Sequence, residues 1–590
     1  MKTRPSALRS VVLLLIGLSV AGISASARGA ARAPAIGKLG MVVSPQADAS
    51  AAGLAMLEAG GNAVDAAVAS AFALSVSDAH RSGIGGGGFI LIRMADGTAV
   101  AIDARETAPG AASAEMYLQP GLPENPSRFG ALAVATPGLL KGLARALGDF
   151  GTQSLSEVLE PAIRIAEQGF AVGPRHASKV RLWRQLGGAQ LFPQTAAIQL
   201  PPDGAPIEPG WRLVQRDLGG TLRLIAAEGP DVFYRGNLAR TIAEAVRDRG
   251  GILTEEDLEA YQVKRREPIR GSYRGYEILS FPPPSSGGIA LVEIANILEP
   301  FDLGARGAGS SASLHVIAEA MKLAFADRAA YLGDADFVDV PAAELISKRY
   351  ADRLRARINP AWWRRAPWSW GKGEVAIRVV GPGEPAGGGG TTHLSVTDGE
   401  GNAVAITQSI NLPFGSGITV PGTGIILNDH MDDFSIRPGQ PNAYGLVDTR
   451  GSNAIAPGKR PLSSMAPTIV VKDGRPFMVT GCNGGSRIIT ATLLSILNVV
   501  DYGMDVQEAV SAPRFHHQWV PDRLVVEAAI PVDVIEALRS RGHQVEVSER
   551  NWSKAPKVQA IVVDPASGRH LGGSDPRDDG VALGYSPSTP

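Results

Sequence analysis

Apolar positions in this chain follow two periods, and the switches between them mark its elements. From Asp48 to Glu58 apolar residues fall at helical spacing and stop at Gly60-Gly61. Asn62 then caps an Ala-rich helix through Ala63, Ala66, Ala67, Phe72 and Leu74, whose small residues allow close helix contact. Ser82 to Gly88 is a glycine tract feeding Phe89-Ile90-Leu91-Ile92, a short apolar run that predicts a buried strand. A phosphate loop runs from strand to helix; here the glycines precede the strand, so close backbone packing is the better reading. Ala99 to Asp103 predicts another strand, ending at Arg105-Glu106-Thr107-Ala108-Pro109. Helices are expected at Leu155–Gln168, stopped by Gly169, and at Asp257–Tyr261 behind the cap Thr254-x-x-Asp257. Pro282 to Gly288 is a rigid turn before a further helix. Leu314, Ile317, Met321 and Phe325 form an apolar stripe on a helix ending near Tyr331.

Beyond residue 390 the period is two. Leu394 and Val396 alternate with His393, Ser395 and Thr397; Asp398 to Asn402 is a turn; Val404 and Ile406 resume the alternation. A hairpin centred on Glu400 places 391 opposite 409, 393 opposite 407 and 395 opposite 405, so Ser409 faces Thr391. A slip of one residue would remove that contact. Met478-Val479-Thr480 predicts a strand, followed by Gly481-Cys482-Asn483-Gly484-Gly485-Ser486-Arg487 and a helix from Ile488 through Val499. Glycine amides between a strand and a helix start suit an oxyanion, though a tight turn alone would use the same residues. Strands and helices interleave in both halves without an internal repeat, which implies layered α and β structure.

The join between the halves carries the candidate chemistry. Gly387-Gly388-Gly389-Gly390 ends abruptly at Thr391. Glycine leaves a peptide bond unshielded and tolerates unusual backbone angles. Cleavage of the Gly390–Thr391 bond would give Thr391 a free amine beside its own hydroxyl, a nucleophile with a built-in base. A flexible linker has the same composition.

Composition narrows the alternatives. The 590 residues carry a net charge of −1, which offers no basic footprint for nucleic acid. The single Cys482 excludes an intrachain disulfide and a cysteine metal cluster, and the nine histidines show no His-Glu-x-x-His spacing. Residues 1–27 read as a signal peptide: Lys2, Arg4 and Arg9, an apolar core from Val11 to Val20, and Ala25-Ser26-Ala27 as cleavage site. The expected protein is exported, periplasmic or secreted, with no stable membrane span. Ala361 to Pro385, rich in Trp and mixed charge, looks like an exposed connector to the join.

Taken together, Gly60 to Ala67, Ser82 to Phe89, Arg105 to Pro109, Pro282 to Gly288, Glu319 to Tyr331, Thr391 to Ser395, Asn428 to Ser435, Arg460 to Pro467, Gly484 to Arg487, Ala512 to His517 and Asp575-Pro576-Arg577 closely resemble the γ-glutamyltranspeptidase family of N-terminal-nucleophile hydrolases. The resemblance covers nearly the whole mature chain. It implies an α+β fold, a four-layer αββα sandwich, cut by itself into a large subunit, 28–390, and a small catalytic subunit, 391–590, that stay together.

By the same resemblance, Thr391 is the nucleophile and Gly484 and Gly485 are the oxyanion donors. Arg105, Ser463 and Ser464 match the holders of the substrate α-carboxylate; Asn411, His430 and Asp433 match those of the α-amino group. The division is chemically sensible: Arg offers a planar fork to a carboxylate, and Asp433 a counter-charge to an ammonium. Two positions depart from the pattern. His430 stands where relatives commonly carry Gln or Glu; a neutral imidazole accepts from an ammonium, whereas an imidazolium repels it. Ser409 replaces a frequent Thr and keeps the hydroxyl. Cys482 near the oxyanion turn is not expected to be a nucleophile, and His516-His517 are expected to be structural. The long loop from Pro438 to Lys459, with Tyr444 at its apolar point, matches the lid of lidded relatives. The implied activity is γ-glutamyl transfer or hydrolysis on glutathione and related small molecules, without metal or organic cofactor. A glutaryl-cephalosporin acylase of the same fold, and an uncleaved binding homologue, are the alternatives.

Overall fold

The computed structural model describes residues 32–358, 389–548 and 555–586. The signal peptide and the Ala361 to Pro385 connector lie outside the described residues. The helices begin where the caps predict. Asn62 accepts from the amides of Val64 and Asp65 while the Asp65 side chain accepts from the Asn62 amide, opening Ala63–Ser77. The same reciprocal cap at Thr254 and Asp257 opens Glu255–Ala260. Gly169, at φ +77°, ends Leu155–Gln168.

Two seven-stranded sheets carry the fold. The first runs Val581–Tyr585, Gly40–Ser44, Gly390–Asp398, Ala403–Asn411, Gly87–Arg93, Ala99–Ala104, Lys264–Arg266. The second runs Ala35–Gly37, His570–Ser574, Val558–Val563, Arg475–Cys482, Thr468–Lys472, Tyr276–Ser280, Ile269–Tyr273. Alternation sorts the first sheet's side chains. Val42, Ile90, Ile92, Leu394, Val396, Val404 and Ile406 pack with the helices Ala63–Ser77, Leu139–Phe150 and Leu155–Gln168. Met41, Val43, Phe89, Leu91, Ala403 and Ala405 instead join a core with the second sheet and with Gly287–Leu298, Ser311–Tyr331 and Arg487–Val500. Helices, sheet, sheet, helices: the αββα order follows.

One expectation changes in detail. Ser311–Tyr331 is buried nearly all round rather than along one stripe, because Val316, Ala318, Ala320 and Leu323 also meet the core. The polar residues His393, Ser395 and Thr397 of Gly390–Asp398 do not face water. They lie between the sheets, where the Ser395 hydroxyl donates to the Gln559 carbonyl at 3.0 Å and Thr397 Oγ1 lies 2.8 Å from His570 Nδ1. The His393 ring occupies the space that a side chain at Gly481 would need, and burial pushes its pKa down to about 3. The glycine tract packs as expected: a Cβ on Gly86 would lie 2.1 Å from the Ser409 carbonyl oxygen.

Candidate active site

The hairpin register places Thr391 opposite Ser409, His393 opposite Thr407 and Ser395 opposite Ala405, with an irregularity at Gly390/Thr391. Three hydrogen bonds meet at Ser409 Oγ. It donates to the Gly390 carbonyl oxygen at 2.7 Å, receives the Asn411 amide at 2.9 Å and lies 2.9 Å from Thr391 Oγ1. A hydroxyl has one proton, so with that proton on Gly390 it is Thr391 that donates to Ser409. No side chain fits at Gly390, where a Cβ would fall 2.3 Å from the Leu412 carbonyl oxygen. The Gly390 carbonyl is thus polarised beside the Thr391 hydroxyl.

Thr391 opens onto a pocket lined by Arg105, Ser409, Asn411, His430, Asp433, Tyr444, Ser463, Ser464 and Gly485 among others. Ten of the twelve expected site residues therefore converge; Gly390 and Gly484 adjoin this lining through their neighbours. At the turn after Arg475–Cys482, Gly484 and Gly485 have φ +128° and +60°. Neither amide donates to a group among the described residues. A Cβ on Gly485 would strike the Tyr444 ring at 2.2 Å, so glycine is required there by both conformation and space.

Arg105, buried at the end of Ala99–Ala104, donates through Nε to the Pro461 carbonyl at 3.1 Å, and its Nη2 pairs with Asp433 Oδ2. The two residues expected to hold opposite ends of an amino acid therefore hold each other in the uncut chain. Asp433 is fixed by the short helical turn His430–Asp433, and its carbonyl accepts from Asn453 Nδ2 at 2.7 Å. The Ser463 hydroxyl accepts from the Met465 amide at 3.1 Å, whereas Ser464 Oγ is buried without a hydrogen-bond partner among the described residues. Asn411, in the left-handed region at φ +78°, donates to the Asp429 carbonyl at 3.0 Å. Tyr444 donates its hydroxyl to the Asn411 carbonyl at 2.7 Å; burial, with Asp433 close by, keeps the phenol protonated.

Glu106 is the residue that sequence reasoning missed. Its Oε1 lies 2.6 Å from His430 Nδ1 and its Oε2 3.4 Å from Arg105 Nη1, all three side chains being buried. Gly87 makes the room: a Cβ there would lie 2.4 Å from Glu106 Oε2. The signal was adjacency to Arg105, but nothing local says that the next side chain reaches His430. Cys482 is buried, and burial pushes its thiol up to about 12, away from nucleophilic use. His516 and His517 turn apart, toward Thr490 and Asp522. The fold also gathers His315, Glu319 and His543, which the spacing did not foreshadow. They form a chain rather than a cage: His315 meets His543 Nε2 at 2.8 Å, Glu319 faces its Nδ1 at 3.9 Å, and Lys322 already pairs with Glu319 at 2.5 Å.

Comparison with known proteins agrees with this geometry. The Gamma-glutamyltranspeptidase family matches residues 49–585, and the chain belongs to that family. It is 45% identical to the glutathione hydrolase proenzyme of Escherichia coli K12, over 94% of this chain and 93% of that protein. It is 44% identical to the acylase ACY 1 proenzyme of Pseudomonas sp. SE83, over 94% of this chain and 95% of that one. The cephalosporin acylase structure from Bacillus halodurans superposes with a TM-score of 0.81 at 31% identity, covering 96% of this chain and 99% of that one.

Proposed function

We propose that this chain is a glutathione hydrolase and γ-glutamyltransferase that cuts itself between Gly390 and Thr391. The observation that carries the proposal is the Thr391–Ser409–Gly390 hydrogen-bond chain at the mouth of a cavity with a buried Arg105–Asp433 pair. In maturation, Thr391 Oγ1 attacks the Gly390 carbonyl carbon, passing its proton to Ser409 as Ser409 donates to the forming oxyanion. The Gly390–Thr391 C–N bond breaks, leaving an ester; water hydrolyses it to a Gly390 carboxylate and a free Thr391 amine. The expected pieces are 28–390 and 391–590.

In turnover the Thr391 amine accepts the hydroxyl proton as Oγ1 attacks the γ-amide carbon, and returns it to the leaving amine. Gly484 and Gly485 donate to the oxyanion. Water releases glutamate from the resulting ester, or an amino acid or peptide takes the γ-glutamyl group. The substrate's zwitterionic end opens the Arg105–Asp433 pair: its carboxylate takes Arg105, Ser463 and the unpartnered Ser464 hydroxyl, and its ammonium takes Asp433, Asn411 and His430. Tyr444 closes the pocket. The chain works outside the cytoplasm after removal of residues 1–27; no helix among the described residues is long and apolar enough to cross a membrane.

The acylase relatives define the competing substrate. A glutaryl group has no ammonium, and binding it would leave Asp433 desolvated while its partner Arg105 is engaged by the substrate carboxylate. That disfavours glutaryl donors by about a thousandfold. Comparing kcat/KM for glutathione and a glutaryl-cephalosporin on one preparation tests the reading; equal values, or a glutaryl preference, reject it.

A further inference from the structure

We propose that Gln518 is a positioning residue that latches the tip of the Pro438 to Lys459 loop to the oxyanion turn. This rests on the functional reading above for the meaning of loop and turn, but the contacts stand by themselves. Gln518 follows the strand Phe515–His516 and is 6% exposed. Both ends of its carboxamide are engaged across separate segments. Oε1 accepts from the Ser486 hydroxyl at 2.7 Å and lies 3.0 Å from His516 Nε2. Nε2 donates to the carbonyls of Tyr444 at 3.2 Å and Gly445 at 3.1 Å, and reaches Val520 at 3.3 Å. Carbonyls on one side and a hydroxyl on the other fix the orientation of the amide.

Ser486 and Tyr444 tie these contacts to the site. Ser486 directly follows Gly485. Tyr444 packs its ring where a Gly485 side chain would stand and bonds Asn411 through its hydroxyl. Gln518 therefore supplies the backbone half of a grip whose other half is the Tyr444 side chain. The loop that presents it is held firmly: Trp519 sits in the left-handed region at φ +69°, its amide donates to His517 Nδ1 at 3.1 Å, and His517 Nε2 meets Asp522 at 3.1 Å. A non-glycine residue stays there only when its surroundings determine it.

Gln518→Glu separates the two ends of the latch. A carboxylate still accepts from Ser486 but turns an oxygen on the Tyr444 and Gly445 carbonyls, so the loop tip is repelled while the turn keeps its partner. The expected result is donor KM raised about tenfold, with kcat within about threefold of the parent. Trypsin cleavage after Arg450, an exposed residue flanking the tip, should accelerate in step. Gln518→Met removes both ends, and kcat should fall as well as KM rise. It also serves as the deciding variant if Gln518→Glu does not accumulate folded. Parental KM and parental trypsin sensitivity in whichever variant folds would overturn the latch. The trypsin readout needs no activity, so the latch can fail while the parent cleaves itself and turns over glutathione, and the functional reading can fail while the latch stands.

Discussion

At Thr391 one hydroxyl is asked to serve two reactions. Thr391→Ala should stay a single chain and be inactive, and Thr391→Ser should mature slowly yet retain some turnover; electrophoresis and an anilide assay read both. The pairing of His430 with Glu106 gives that carboxylate a part in the site: 2.6 Å from Nδ1, it fixes the ring beside the place proposed for the substrate ammonium. Glu106→Gln should therefore raise donor KM about fivefold at fixed pH with kcat little changed. A parental KM in that variant would contradict this. Residue types and their chemistry were legible in the sequence. Their pairings were not, because Arg105 and Asp433 lie 328 positions apart.

The hairpin Gly390–Asp398 with Ala403–Asn411 could be read to the residue, since a period of two and one turn fix a register. What alternation hides is the surroundings of each face: the polar side of this strand meets a second sheet instead of water. His393 is the sharpest case. Its pKa in the fold, about 3, lies below the ordinary imidazole value, so the unfolded chain binds the proton first. The stability this gives is present above about pH 6.5 and is lost as pH falls from there toward the folded pKa. Between pH 6.5 and 4.5, His393→Gln should lose roughly 2–3 kcal/mol less than the parent, read as denaturation midpoints at each pH. Equal losses would show that His393 does not stay neutral. At the start of the same strand, Gly390→Ala should block maturation, because the added methyl collides with the Leu412 carbonyl oxygen; a mass measurement showing normal cleavage would refute that.

Over the whole molecule, the interleaving of helices and strands announced layers, and the family resemblance supplied their order. Local pattern could not: the first sheet draws four strands from before Gly390 and three from the join onward, and strand order is set by contacts remote in sequence. That mixture has a consequence for the cut protein. Gly390–Asp398 stays hydrogen-bonded between Gly40–Ser44 and Ala403–Asn411, so both pieces should elute together in native gel filtration and separate only in SDS. The central claim is that Thr391 cuts the bond preceding it. The most direct test is amino-terminal sequencing, with intact mass, of the purified protein and of Thr391→Ala. The account predicts a parental fragment beginning Thr-Thr-His-Leu-Ser and an uncut variant. A parent intact across Gly390–Thr391, or a variant cut at that bond, would contradict it.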